Sequence, residues 1–69
     1  MKETFDKDAN AVYIYLEKIK KGGVQETIEL TEDILIDLDK KRKILGIEIL
    51  NSSQHLSKKF LKKAKRIDK

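Results

Sequence analysis

Side chains that alternate between apolar and polar over residues 34–49 constrain the fold more than any other feature of this chain. The run ILIDLD places an aliphatic residue at every second position, KKRK interrupts the pattern, and ILGIEIL resumes it. Because successive side chains of a strand point to opposite faces of a sheet, this period of two predicts two strands joined by a hairpin turn. The sequence therefore indicates a sheet with one aliphatic face.

The register of this hairpin follows if residues 40–43 form a four-residue loop, a common hairpin length. The aliphatic face then carries the pairs Leu38–Leu45, Ile36–Ile47 and Ile34–Ile49, and the opposite face carries Asp37–Gly46 and Leu35–Glu48. A shift of one residue would turn the aliphatic side chains to the wrong face, which a half-buried sheet does not tolerate.

Three further segments complete the predicted sheet. AVYIYL and VQETIEL alternate in the same way on either side of a Lys-Gly-Gly turn signal at 21–23, and residues 2–5 form a first short strand. The predicted fold class is α+β: a small antiparallel β-meander of about five strands in the order 1-2-3-4-5, with one C-terminal amphipathic helix packed on its apolar face.

Charge and periodicity both change in the last sixteen residues. Residues 54–69 carry seven Lys or Arg and one acid, whereas residues 1–53 carry nine Lys or Arg and eleven acids, so the net charge of +4 belongs to the tail. Ser52 or Ser53 can cap a helix start. Leu56, Phe60, Ala64 and Ile67 then recur at helical spacing with Leu61 beside them. We expect one domain, with a β-sheet body over 1–53 and a basic helix over 54–69.

The stretch FDKDANAVYIYLE has the spacing of a calcium-binding loop, with Asp6, Asp8 and Asn10 at its start and Glu17 at its end. That loop needs a glycine at its sixth position, which here is Ala11. The alternation over 11–16 also predicts a strand, which would carry Glu17 far from Asp6. We therefore interpret DKDAN as a turn between two strands and predict no metal site and no cofactor.

Three segments also resemble a known family. FDKDANAVYIYL resembles the opening Y-D-x-x-A-D-A-L-Y-I, VQETIEL the next strand, and IDLDKKRKILGIEILNSS the closing hairpin D-L-D-x-x-G-x-x-x-G-I-E-I-L-x-A-S of the small prokaryotic family called domain of unknown function 2283. The resemblance spans residues 2–53. It implies a small antiparallel β domain with no established activity, and proteins that act as accessories or partners, some beside toxin-like genes.

Two residues depart from the family pattern. Asn10 stands where Asp is usual, which weakens any carboxylate cluster there. Arg42 stands where the turn has Gly. If that position requires a positive φ, arginine costs roughly 1 kcal/mol there.

The residues with catalytic chemistry are few. Ser52, Ser53 and His55 are close in sequence, but helix starts are rich in serine and a lone histidine is ordinary. Asp37, Asp39 and Glu48 would share one face of the last hairpin, where a solvated face beside lysines is the simpler interpretation. No glycine-rich phosphate loop is present. We therefore predict that the protein is not an enzyme.

A small chain without cysteine gains most from association with another copy. The predicted function is a non-catalytic protein-interaction module that forms a homodimer through a sheet face or edge, including an antitoxin-like partner role. On the predicted register, five apolar or aromatic residues point away from the helix-covered face and are the interface candidates. They are Tyr13, Tyr15, Leu35, Ile44 and Leu50.

The basic tail supports an alternative function, an accessory domain that makes non-specific, salt-dependent contacts with nucleic acid. The candidate residues are Lys58, Lys59, Lys62, Lys63, Lys65 and Arg66. A solvated lysine face and an acidic protein partner are the other interpretations. The longest apolar stretch, AVYIYL, is far shorter than a membrane span, so a cytoplasmic location without membrane contact is expected.

Overall fold

In the computed structural model, residues 2–67 are described, and the side chains of residues 2–65. Six strands and two short helices follow one another along the chain. They are β1 (Lys2–Asp6), β2 (Ala11–Tyr15), β3 (Glu26–Thr31), β4 (Ile34–Leu38), β5 (Ile44–Ile49), α1 (Ser52–His55), α2 (Lys58–Lys63) and β6 (Lys65–Ile67). The α+β class is confirmed, and strands β1–β5 pair antiparallel throughout.

The strand order differs from the predicted meander. The sheet runs β3-β4-β5-β2-β1-β6, so β2 lies beside β5 and not beside β3. Residues 16–25 form a long connection in place of a tight hairpin, and the backbone N–H groups of Leu16 and Glu17 both donate to the carbonyl of Leu45. This connection carries the chain from the middle of the sheet to its edge, where β3 begins.

The register predicted for the β4–β5 hairpin is largely confirmed. Ile34 faces Ile49, Ile36 faces Ile47, and the intervening pairs lie on the other face as expected. The exception is Leu38, which pairs with Ile44 instead of Leu45 because the register shifts after Asp37. A bulge of this kind adds one residue to one strand beside the turn.

The turn before β5 explains why a glycine suits position 42. The Asp39 side chain accepts from the backbone N–H groups of Lys41 and Lys43, and Arg42 has a φ of 63°. That left-handed conformation is strained for a residue with a Cβ.

We expect Arg42→Gly to raise the free energy of unfolding by about 1 kcal/mol. Glycine removes the left-handed penalty, and the ion pair between Arg42 and Glu26 that it also removes is exposed and therefore worth little. Urea unfolding measures the change. Arg42→Ala, which loses the same ion pair and keeps the Cβ, should give no gain; equal gains for both variants would contradict a backbone origin.

The core lies on the face of the sheet that the C-terminal segment covers. Phe5, Val12, Ile49 and Ala64 are buried there. Five partly buried residues pack against this cluster: Ile14, Ile47, Leu56, Phe60 and Leu61. The predicted amphipathic lid is thus present, with its apolar side against the sheet.

The lid is not the single helix expected over 54–69. Leu56 is extended, and Ser57 starts a second helix because its side chain accepts from the N–H of Phe60 at 3.1 Å. The predicted caps are wrong: the residue preceding α1 is Asn51, which makes no side-chain cap bond. After α2 the chain becomes extended again, and β6 pairs parallel with β1. The predicted apolar contact of Ile67 lies outside the described side chains.

Candidate interaction surfaces

The uncovered face of the sheet is organised around Tyr13. Its hydroxyl donates to Asp37, which also accepts from Thr27 at 2.6 Å, so the side chains of three strands are joined. Burial, and then the hydrogen bond to Asp37, raise the pKa of Tyr13 above its ordinary range. A Cβ added at Gly46 would overlap the Tyr13 ring. Gly46 therefore provides the space through which the tyrosine reaches across β5 to β4.

Tyr15 is the second aromatic residue of this face. Its ring centroid lies 4.6 Å from that of Tyr13, and the Lys2 ammonium lies 5.4 Å from the Tyr15 centroid. Tyr15 borders two concavities. One, of about 300 Å³, is also lined by Asp6, Tyr13, Glu48 and Leu50 among others. The other, of about 610 Å³, is lined by residues 16–19 and Lys2.

The structure brings together part of the predicted interface set. Glu48 of β5 lies between Tyr13 and Leu35, its partners on the two neighbouring strands. Leu50 lines the same concavity as both tyrosines. Ile44 begins β5 beside the turn, where it is 44% exposed, and it lines neither of the concavities that Tyr15 borders. The face is therefore mixed, with carboxylates between its apolar groups.

A junction of polar side chains fixes α1 to two turns of the sheet. In the turn before β2, the Asn10 side-chain oxygen accepts from the Ser52 hydroxyl at 3.0 Å and from the Ser53 N–H at 3.2 Å. The Asn10 amide donates to the Ser53 hydroxyl, and its backbone carbonyl accepts from the Ser52 N–H. Ser52 is fully buried. DKDAN is thus a turn, as predicted, with a structural role for Asn10.

The turn between β3 and β4 makes the other half of the junction. Asp33 accepts from the Asn51 amide at 3.0 Å and lies 2.8 Å from Nε2 of His55. These two hydrogen bonds, that of His55 foremost, lower the pKa of Asp33. The sequence analysis missed Asn10, Asp33 and Asn51 as junction residues. The signal available was the tolerance of Asn for left-handed backbone, which Asn10 and Asn51 both adopt.

We expect the junction to make stability depend on acid pH. Because folding lowers the pKa of Asp33, the folded chain binds this proton less readily than the unfolded chain. The stabilisation is present above the unfolded pKa and is lost as pH falls below about 4. Chemical denaturation at several pH values should show a shallower acid loss for Asp33→Asn than for the unchanged chain. Superimposable acid limbs would contradict this.

The residues considered for catalysis are dispersed among structural bonds. Asp37 is bound by Tyr13 and Thr27, while Asp39 belongs to the β4–β5 turn, where the Lys43 and Lys41 backbone amides lower its pKa. Ser52 faces Asn10, and His55 faces Asp33. Within residues 2–67, no group of three or more His, Cys, Asp or Glu is placed to hold a metal ion.

The basic surface predicted for the tail is present in α2 and at the start of β6. Five lysines of this segment are exposed: Lys58, Lys59, Lys62, Lys63 and Lys65. The ion pairs found among the described side chains, Arg42–Glu26 and His55–Asp33, involve none of them. The side chain of Arg66 lies outside the described residues. The segment therefore presents a row of cations to solvent.

Comparison with known proteins gives one match. The model of the family described as "Protein of unknown function (DUF2283)" matches residues 2–53, about three quarters of the chain. No curated protein and no solved structure matches it significantly. Separately, none of the helices in the described part of the chain is long and apolar enough to cross a membrane.

Proposed function

Because the chain belongs to the DUF2283 family, whose description names no activity, we propose a function from its own surfaces: a non-catalytic protein-interaction module that works as a homodimer. The observation that carries this proposal is the uneven cover of the aliphatic face. The C-terminal segment packs on Phe5, Val12 and Ile49, which belong to β1, β2 and β5. The strands at the other end of the sheet, β3 and β4, contribute no residue to that packed cluster.

The aliphatic side chains of β3 and β4 are correspondingly open. Ile28, Ile34 and Ile36 are only half-buried, and Leu30 is 63% exposed. Apolar area removed from water contributes roughly 25 cal/mol per Å². A chain of 69 residues without cysteine has few other means of stabilising its core, so a second copy that covers this part of the sheet adds directly to its stability.

Sedimentation equilibrium over a range of loading concentrations tests the homodimer. We expect a monomer–dimer equilibrium with a Kd on the order of 10 µM. Thermal stability should rise with protein concentration, because association stabilises the folded chain by mass action. A strictly monomeric chain up to about 1 mM, which places any Kd beyond −4 kcal/mol of binding free energy, would overturn the proposal.

The exposed lysine row supports a second candidate function, non-specific contact with nucleic acid. Cations without carboxylate partners can lie along phosphates, and such binding weakens steeply with salt. Fluorescence anisotropy with a generic DNA duplex should detect binding at low salt. Replacement of Lys58, Lys59, Lys62 and Lys63 by Gln should reduce the slope of log K against log salt by about four contacts' worth. Because these side chains are exposed, the variant should keep its fold. Equal binding by both proteins would exclude the lysine row.

A further inference from the structure

We propose that two copies of this chain join edge to edge through β3, antiparallel about a twofold axis at Ile28, so that one continuous sheet runs through the dimer. This inference rests on the proposed homodimer and specifies its interface. A sheet edge carries backbone donors and acceptors that have no strand partner on one side, and it therefore pairs readily with another strand.

The two edges of this sheet differ in how well they are protected. β3 and β6 are the outermost strands. β6 spans three residues, two of which are Lys65 and Arg66, and short, positively charged edge strands resist further pairing. β3 spans six residues, has no proline or lysine, and has two threonines and an isoleucine, which favour strands. The β3 edge is therefore the one suited to self-association.

Charge selects the register of the pairing. With the axis at Ile28, each Ile28 faces its counterpart, Thr27 faces Glu29 of the second copy, and Glu26 faces Leu30. No two carboxylates are then directly opposite. An axis at Glu29 would set Glu29 against itself, and like charges directly opposite destabilise a strand pair. An axis at Thr27 would set Glu26 against Ile28. Within one copy, Arg42 already pairs with Glu26 at 2.7 Å and offsets its charge at the edge.

The same register continues an apolar row across the axis. Within one copy, Ile28 pairs with Ile36, Ile36 with Ile47, and Ile47 with Ile14, so one isoleucine from each of four neighbouring strands lies in line. The axis at Ile28 would join this row to its counterpart in the second copy. Cross-strand pairs of β-branched side chains stabilise a sheet, so the row gives the edge contact an apolar centre.

The bulge near the end of β3 limits the length of the new pairing. Regular pairing with β4 shifts between Glu29 and Thr31, and a bulge twists the strand locally. The contact therefore covers about five residues from each copy. This agrees with a dimer in the micromolar range and not with an obligate one.

Opposite charges introduced at Leu30 test the interface. Leu30 is 63% exposed, so its replacement should leave the fold of one copy intact, as circular dichroism and thermal unfolding at low concentration can verify. Leu30→Glu would place two carboxylates opposite each other twice, because of the twofold symmetry. We expect the Kd of the dimer to rise at least tenfold. Leu30→Lys would place an ammonium opposite Glu26 and should keep the Kd within about threefold of the unchanged chain.

Hydrogen exchange supplies a readout that does not depend on substitution. If β3 is the interface, the amides of residues 26–30 should become more protected as protein concentration rises, while those of the β6 edge should not. Leu30→Glu should abolish the gain in protection. A single cysteine at Ile28, in this cysteine-free chain, should also form a disulfide-linked dimer on mild oxidation faster than one at Val24, which is similarly solvent-accessible in the loop before β3.

The outcomes separate this inference from the proposed function. A dimer that is unaffected by Leu30→Glu, shows no protection at 26–30 and dissociates with Leu35→Lys would place the interface on the uncovered face; that would overturn the β3 edge and leave the homodimer standing. Assemblies that grow without limit would indicate pairing of β3 with β6 of the next copy and would also overturn the twofold arrangement. A chain that is monomeric throughout would remove both proposals.

Discussion

Replacement of Asn10 by alanine is expected to lower the free energy of unfolding by about 3 kcal/mol. The substitution removes an acceptor from the Ser52 hydroxyl, which is fully buried, and from the Ser53 N–H. A buried donor left without a partner costs about 1–3 kcal/mol. Asn10 also has a φ of 53°, which alanine adopts at a further cost of about 1 kcal/mol. For a domain of this size, Tm should fall by roughly 15 °C.

Asn10→Asp is the matched control. A carboxylate oxygen can accept from both Ser52 and Ser53 as the amide oxygen does, and Asp also tolerates the left-handed backbone. Only the bond donated by the Asn10 amide to the Ser53 hydroxyl is lost in its present form. We expect a loss below about 1 kcal/mol. Equal losses for the Asp and Ala variants would show that the junction does not depend on this acceptor. The same comparison explains how Asp can serve at this position in related sequences.

Gly46→Ala is the second substitution with a large expected effect. The new Cβ would overlap the Tyr13 ring, which the hydrogen bond to Asp37 holds across the strand. The ring must move, so the bond to Asp37 is lost or distorted. Overpacking of this kind costs about 1–3 kcal/mol, and we expect a loss near 2 kcal/mol in urea unfolding.

A double-mutant cycle with Tyr13 isolates the cause. In a Tyr13→Ala background the ring is absent, so Gly46→Ala should cost less than about 0.5 kcal/mol, since alanine suits a strand at least as well as glycine. Tyr13→Phe keeps the ring and removes its hydroxyl, and in that background the cost should remain, although reduced by the freedom of the ring to move. If Gly46→Ala costs the same with and without the ring, contact with Tyr13 is not the reason for a glycine at this position.

The faces of the strands could be predicted from the sequence, and their neighbours could not. Alternation over 34–49 determined which side chains share a face, and the interruption at 40–43 determined the register of that hairpin. Alternation does not say which strand lies beside which. β2 is as compatible with β5 as with β3, because all three present aliphatic residues on the same face. The pairing of Val12 with Ile49 is decided by tertiary packing beneath Leu56, Phe60 and Leu61.

The C-terminal segment shows a second limit of periodicity. Leu56, Phe60, Leu61 and Ala64 do cover the core, so the spacing identified the right residues. It did not identify their conformation. Ser57 caps a new helix four residues before Leu61, and Ala64 lies past the end of α2 in extended conformation. A serine within an apolar helical pattern is a sign of such a break, because its side chain competes for the backbone N–H groups.

The candidate surface residues could be only partly predicted. Tyr13 and Tyr15 share a face and touch, as the alternation implied. Thr27 could not be placed beside Asp37, because its strand was expected next to β2. The junction partners Asn10 and Ser52 are 42 residues apart, and nothing local in the sequence indicates that their turns meet.

The position of β2 next to β5 bears on the order in which the chain folds. The β3–β4 and β4–β5 pairs join strands that are close in sequence, whereas Val12 must find Ile49 after the intervening meander has formed. Closure of long loops delays such contacts. We therefore expect φ-values to be high in the β4–β5 hairpin and low in β1 and β2, which stopped-flow kinetics of Ile36→Val and Val12→Ala would measure. A transition state in which β1 and β2 are already docked would contradict this sequence of events.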